Sequence, residues 1–146
     1  MAKDTNRRLP AGAVIAWLLL SGAAAAADSY EVVVNSANPV TSLDRGEVSA
    51  LFLRRTSRWD DGTTVLPVDG PDSAARESFS KDVLGRKTPA VRSHWLQVIF
   101  SGRGVPPPEK ASDKEVIAYV KAHPGAIGYV SGSTATNDVK VLTVQP

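Results

Sequence analysis

The first 27 residues decide how much of this chain is left to fold. Three basic residues, Lys3, Arg7 and Arg8, precede an uncharged stretch whose strongly apolar part is residues 14–20, and alanines fill its end. This order of a basic head, a short apolar run and small residues is typical of a secretory signal peptide, here with cleavage after Ala27. The Arg7-Arg8 pair leaves twin-arginine export open beside the general secretory route.

A retained membrane anchor is the alternative for this segment. Residues 9–27 are uncharged and reach the length of about 20 residues that a helix needs to cross a bilayer. Pro10, Gly12, Ser21 and Gly22 interrupt the stretch, and only its middle is strongly apolar. The pattern therefore favours a cleaved leader and a mature domain at residues 28–146, with no membrane contact after cleavage.

The charge of the chain belongs to that leader. The whole sequence has 17 basic and 15 acidic residues, and removing Lys3, Arg7, Arg8 and Asp4 leaves 14 of each. A balanced domain lacks the basic excess that nucleic-acid binding requires, so no nucleic-acid partner is expected. The absence of cysteine excludes thiol nucleophiles and cysteine-ligated metals or clusters.

Hydrophobic periodicity and turn residues predict the element order β-α-β-α-α-α-β-β. That order indicates the α/β class, with a small mixed sheet flanked by helices. Pro67 suggests that the second strand lies at a sheet edge. The predicted strands are 31–34, 64–68, 126–130 and 139–144, and the predicted helices are 43–53, 73–84, 88–100 and 113–122.

Capping residues mark where these helices begin. Thr41 or Ser42 is expected to cap the first helix, and Asp72 or Ser73 the second. Residues 112–115, Ser-Asp-Lys-Glu, have the pattern of a capping box for the last helix. Periodicity places four apolar residues of the third helix on its core face: Val91, Trp95, Val98 and Ile99.

Most patterns that could support catalysis or metal binding are incomplete. His94 and His123 are the two histidines, and they lack the partner spacing of a metal site. The serine in residues 128–132 stands one place late for a hydrolase nucleophile elbow. No enzyme activity, metal or cofactor is therefore expected.

Two arrangements of charge remain open to interpretation. Arg54, Arg55 and Arg58 form either a solvated helix end or a surface that docks an anionic partner. In residues 69–76 a predicted strand leads directly into a helix, whose free N–H groups, with Ser73 and Arg76, suit an oxyanion. The alternative there is an ordinary capped helix in which Arg76 pairs with Asp72 or Asp69.

Several runs of residues, taken in order, resemble phosphate ABC transporter substrate-binding proteins. The similarity is closest to the short exported members of that PBP-like family, and it extends over most of residues 28–146. The runs are Val32-Val33-Val34-Asn35, Leu43, Glu47-Val48, Leu51-Phe52-Leu53, Trp59-Asp60-Asp61-Gly62, Ser73 with Arg76 and Phe79, Trp95, and His123-Pro124-Gly125-Ala126-Ile127-Gly128-Tyr129-Val130.

The resemblance implies one lobe of a two-lobed type 2 periplasmic binding protein, located in the periplasm. It implies a small oxyanion ligand such as phosphate, held by Ser73 and the backbone of Ala74 and Ala75, where Arg76 could restore a positive charge. Asp69 stands where the family pattern R-x-x-x-S-G-T has its arginine, and the threonine is absent. The alternative function is a periplasmic protein–protein interaction module that has lost its ligand and binds a protein partner.

Overall fold

The computed structural model describes residues 29–146, so the predicted leader lies outside the described residues. The predicted α/β architecture is confirmed, with one additional short strand. The elements are β1 (Tyr30–Val34), β2 (Ser42–Asp44), α1 (Arg45–Phe52), β3 (Leu66–Pro67), α2 (Ala74–Asp82), α3 (Thr88–Phe100), α4 (Asp113–Ala122), β4 (Ala126–Ser131) and β5 (Lys140–Gln145). Within residues 29–146, none of the helices has both the length and the apolar character needed to cross a membrane.

The five strands form one mixed sheet in the order β2-β5-β1-β4-β3. β1 pairs antiparallel with β4 and β5, whereas the outer strands β2 and β3 pair parallel with β5 and β4. β3 is an edge strand, which confirms the interpretation of Pro67. The central strand β1 is buried on both faces, because Val32, Val33 and Val34 are all nearly inaccessible to solvent.

Alternate residues of the central strands supply two hydrophobic clusters, one on each face of the sheet. Val32 and Val34 belong to a cluster with Phe52 of α1 and Phe79 of α2. The intervening residue Val33 belongs to a second cluster with valines of α4. The sheet is therefore covered by helices on both faces, and α1 and α2 lie on the face opposite α4.

Gly128 of β4 lets α4 approach the sheet closely. A Cβ atom at this position would lie 2.8 Å from methyl groups of both Val116 and Val68. Such a distance is shorter than a carbon–carbon contact, so the missing side chain is a packing requirement.

The predicted start of the first helix is wrong. Thr41 and Ser42 do not cap α1, because Ser42–Asp44 pairs with β5 as the short strand β2. The N-cap is Asp44, whose side chain accepts a hydrogen bond from the Glu47 amide while Glu47 accepts one from the Asp44 amide. This reciprocal pair satisfies two N–H groups at the helix start, which Thr41 and Ser42 are too far away to do.

The caps of α2 and α4 agree with the sequence. Ser73 is the N-cap of α2, and Ser112 is the N-cap of α4. The capping box at residues 112–115 is only half formed, because the Glu115 carboxylate accepts from the Ala111 amide instead of the Ser112 amide.

α3 packs mainly on α2 at the periphery of the domain. Val91 is buried, but exposure rises along the helix, and Phe100 at its end is 86% exposed. The prediction that Ile99 faces the core is wrong, because this end of the helix extends past the surface that α2 covers and leaves Ile99 in solvent.

Candidate functional site

Ser73 connects the edge of the sheet to α2. Its backbone is extended, and its Oγ accepts a hydrogen bond from the Arg76 amide at 3.2 Å. The hydroxyl hydrogen of Ser73 stays available to a ligand, since this bond uses only the oxygen. The amides of Ala74 and Ala75 belong to the first turn, which has no acceptors of its own, and among the described residues no hydrogen bond from either amide is found.

Arg76 lies beneath this turn, and only 6% of its side chain is exposed. Its guanidinium lies 2.7 Å from the Asp69 carboxylate, 3.1 Å from Glu109 and 3.3 Å from Asp72. It also donates to the Gly70 carbonyl at 3.2 Å. Burial opposes the charge on Arg76, but Asp69 and Glu109 outweigh that effect and hold its pKa above the ordinary value. The pairing with Asp69 and Asp72, which the sequence left as the alternative, is therefore present.

Asp69 is fixed by contacts from three directions. One carboxylate oxygen binds Arg76, and the other accepts hydrogen bonds from the Tyr129 hydroxyl and, at 3.0 Å, from the Gly70 amide. Burial raises the pKa of Asp69, while the Tyr129 hydroxyl and Arg76 act in the opposite direction. Burial and the negative charge of Asp69 raise the pKa of Tyr129, so its hydroxyl remains a proton donor. Asp69 and Tyr129 thus hold Arg76 in position from below.

Asp72 lies on the outer side of the same turn. Both of its carboxylate oxygens accept from Arg92 Nη2 of α3, at 2.6 and 2.7 Å. Asp72 and Arg92 are largely exposed, with 68% and 53% of their side chains accessible. The hydrogen bond from Arg92, together with the charges of Arg92 and Arg76, holds the pKa of Asp72 below its usual range. Two guanidinium groups therefore converge on one carboxylate at the start of α2.

A cavity of about 450 Å³ opens beside this carboxylate. It includes three of the four residues that the sequence suggested, because Ser73, Ala74 and Arg76 all line it. Ala75 does not line the cavity, because the residue is buried in the core. The remaining lining residues are Asp72, Glu77, Thr88, Pro89 and Arg92.

Sequence reasoning missed three residues of this network. Arg92 lies one turn into α3 from Pro89, and its contact with Asp72 depends on how α3 packs on α2. Tyr129 was part of a recognised run but was not assigned to the site. Glu109 lies in the loop before α4 and had no sequence signal, since its position follows from the bridge between residues 69 and 109.

The other residues singled out in the sequence lie elsewhere. His94 packs edge-to-face with Trp95, and His123 ends α4 with Nδ1 2.8 Å from the Tyr119 carbonyl. No cluster of three metal-binding side chains occurs within residues 29–146. Arg54, Arg55 and Arg58 are exposed after α1, which fits both a solvated helix end and a docking surface.

The fold is that of one lobe of a phosphate ABC transporter substrate-binding protein, which confirms the resemblance seen in the sequence. A phosphate-bound putative phosphate ABC transporter substrate-binding protein from Clostridium perfringens superposes with a TM-score of 0.61 at 18% identity, over 80% of this chain and 46% of the other. An ABC-type phosphate transport receptor from Vibrio cholerae gives 0.60 at 19% identity, over 81% and 48%. PstS from Borrelia burgdorferi gives 0.61 at 14% identity, over 80% and 47%.

The matched region covers slightly less than half the length of each of these three structures. No protein-family model matches the chain. No curated protein matches it by sequence either. The similarity at these identities is one of fold.

Proposed function

We propose that this protein is an exported, single-lobe oxyanion-binding protein whose ligand is a small oxyanion such as phosphate. The ligand binds at the start of α2, to the Ser73 hydroxyl, the amides of Ala74 and Ala75, and the guanidinium groups of Arg76 and Arg92. The observation that most supports this proposal is that Arg76 and Arg92 already hold one oxyanion there, the carboxylate of Asp72.

The Asp72 carboxylate acts as an internal stand-in for the ligand. Guanidinium groups bind carboxylates and phosphates through the same paired N–H donors. Because Asp72 is exposed, its side chain can rotate towards solvent and release Arg92 to an incoming anion. The helix N-terminus adds free N–H groups and a favourable dipole at the same point.

The acidic residues around Arg76 set the strength of binding. Asp69 and Glu109 stay beside the guanidinium when the ligand binds, and their charges repel a dianion. We therefore expect weak binding, with a dissociation constant on the order of 1 mM, or about 4 kcal/mol.

Export and binding are parts of the same proposal. Cleavage of the leader after Ala27 would release the domain into the periplasm, where it meets free anions. The similar solved structures are transport binding proteins, which supports binding rather than catalysis. The alternative of a protein-interaction module at the sheet edge or at Arg54, Arg55 and Arg58 stays a prediction.

Thermal denaturation in the presence of phosphate or sulfate tests the proposal. A ligand present at 100 times its dissociation constant stabilises the folded state by about 2.7 kcal/mol, which a melting curve detects. Ser73→Ala and Arg92→Ala should each reduce the shift. Arg58→Ala is the matched control, since Arg58 is exposed and donates to the Gly62 carbonyl away from the site. No shift with either anion in the unmodified protein would overturn the proposal.

A further inference from the structure

A second cleft lies on another part of the surface, between the C-terminal ends of α1 and α3. Its volume is about 380 Å³, within the range of small-molecule sites. It shares no lining residue with the cavity at the start of α2. Its lining includes Arg54, Arg55, His94, Trp95 and Arg103.

Positive charge dominates this cleft. Arg54, Arg55 and Arg103 line it, and within residues 29–146 none of them forms an ion pair, in contrast to Arg76 and Arg92. Burial lowers the pKa of His94, and the charges of Arg86, Arg55 and Arg103 lower it further. The His94 imidazole thus lies among cationic side chains.

The two helix ends that form the cleft have the same pattern of backbone hydrogen bonds. After α3, the amides of Gly102 and Arg103 donate to the carbonyls of Ile99 and Val98. After α1, the amides of Arg54 and Arg55 donate to Leu51 and Ala50 in the same pattern. Both ends are Schellman motifs, in which one residue has a left-handed backbone conformation. The next residue, Arg55 after α1 and Arg103 after α3, lines the cleft.

Arg54 occupies a backbone position that normally belongs to glycine. Its φ is +55°, whereas the equivalent residue after α3 is Gly102 with φ +68°. Among the described residues, Arg54 is the one non-glycine residue with positive φ. An arginine in this conformation is less stable than glycine would be, and such strain is concentrated at functional positions.

We propose that this cleft binds a small polyanion, a compound with two or more phosphate or carboxylate groups. Arg54, Arg55 and Arg103, which line the cleft, bind its charged groups, and Trp95 supplies an apolar wall. The alternative explanation is that these arginines interact favourably with the dipoles of the helix C-termini. That explains basic residues after α1 and α3, but not why position 54 has arginine instead of glycine.

Calorimetric titration with pyrophosphate and with citrate at low ionic strength tests this site. Arg103→Ala should weaken binding of the polyanion about tenfold. Arg54→Gly should weaken it while raising the melting temperature by a few degrees, since glycine relieves the strain. Arg58→Ala is the control for overall charge and should leave the affinity unchanged.

Four results would overturn the proposal. The first is that neither anion binds at millimolar concentration. The second is that Arg54→Gly keeps full affinity, and the third is that Arg58→Ala loses as much affinity as Arg103→Ala. The fourth is that Ser73→Ala abolishes binding of the polyanion, because the anion would then bind at α2 instead.

The His94 imidazole provides an independent readout by nuclear magnetic resonance. A bound polyanion offsets the neighbouring guanidinium charges, so the pKa of His94 should rise on addition of pyrophosphate. His123 lies at the end of α4, away from the cleft, and serves as the internal control. An unchanged His94 titration in saturating pyrophosphate would contradict the proposed site.

Discussion

Asp72 and Arg92 form a paired contact across the gap between α2 and α3, with both carboxylate oxygens within 2.7 Å of one guanidinium nitrogen. The same carboxylate lies 3.3 Å from Arg76. Two arginines thus converge on one acidic side chain at the start of α2, where we propose that an external oxyanion binds.

Asp72→Asn should strengthen anion binding. Removing this charge releases Arg92 and removes repulsion of the ligand, so we expect the dissociation constant for phosphate to fall by about three- to tenfold. Calorimetry measures the change, and stability should alter little because the pair is exposed. Asp60→Asn, at an exposed position in another part of the surface, is the control. An unchanged or weaker affinity in Asp72→Asn would show that Asp72 does not compete with the ligand.

Asp69→Asn should destabilise the fold. The change leaves the buried Arg76 with less neutralising charge and weakens the hydrogen bond from Tyr129, which we expect to cost about 1–3 kcal/mol of unfolding free energy. Urea denaturation measures this loss, again with Asp60→Asn as the control. If Asp69→Asn unfolds at the same urea concentration as the unmodified protein, the network around Arg76 is not structural.

Gly128→Ala should also destabilise the protein, because the added methyl group would lie 2.8 Å from Val116 and Val68. Overpacking of this kind costs about 1–3 kcal/mol. Adding Val116→Ala to Gly128→Ala removes the close contact on the α4 side, although that with Val68 remains, so the double variant should lose less than the sum of the two single changes. Simple additivity in denaturation experiments would contradict the proposed packing of α4 on β4.

The titration of His94 should reduce stability at acid pH. Its pKa in the folded state is lowered by burial and by three arginines, so the unfolded chain binds the proton more readily. The resulting loss of unfolding free energy begins as the pH falls through the pKa of His94 in the unfolded chain, about 6.5, and is complete below its pKa in the folded state. His94→Gln should remove this component from the pH dependence of denaturation. Equal pH profiles for His94→Gln and the unmodified protein would contradict the assignment.

The sequence predicted the elements whose signals are local. The β-branched run of β1 and the serine caps of α2 and α4 are recognisable within a few residues, and all three are confirmed. β2 was missed because it has three residues and exists through pairing with β5, at the other end of the chain. Its formation moves the start of α1 to Arg45.

The candidate site also combines residues with local sequence signals and residues that only tertiary packing brings together. Ser73 and Arg76 could be found because they belong to one strand-to-helix segment. Arg92 and Glu109 reach the segment from α3 and from the loop before α4, and only the tertiary packing brings them there. The sequence could not show whether the Arg76 guanidinium is free or ion-paired, since one of its partners, Glu109, is brought to it by the tertiary fold.

The most direct test of the proposed function is a nuclear magnetic resonance titration of the labelled protein with inorganic phosphate. We predict that the amide resonances of Ala74 and Ala75 shift and saturate with a dissociation constant on the order of 1 mM. The shifts should be lost in the Ser73→Ala, Arg92→Ala double variant and kept in Arg58→Ala. If those two amides do not respond to phosphate at several times that concentration, the start of α2 does not bind an oxyanion and the central claim is wrong.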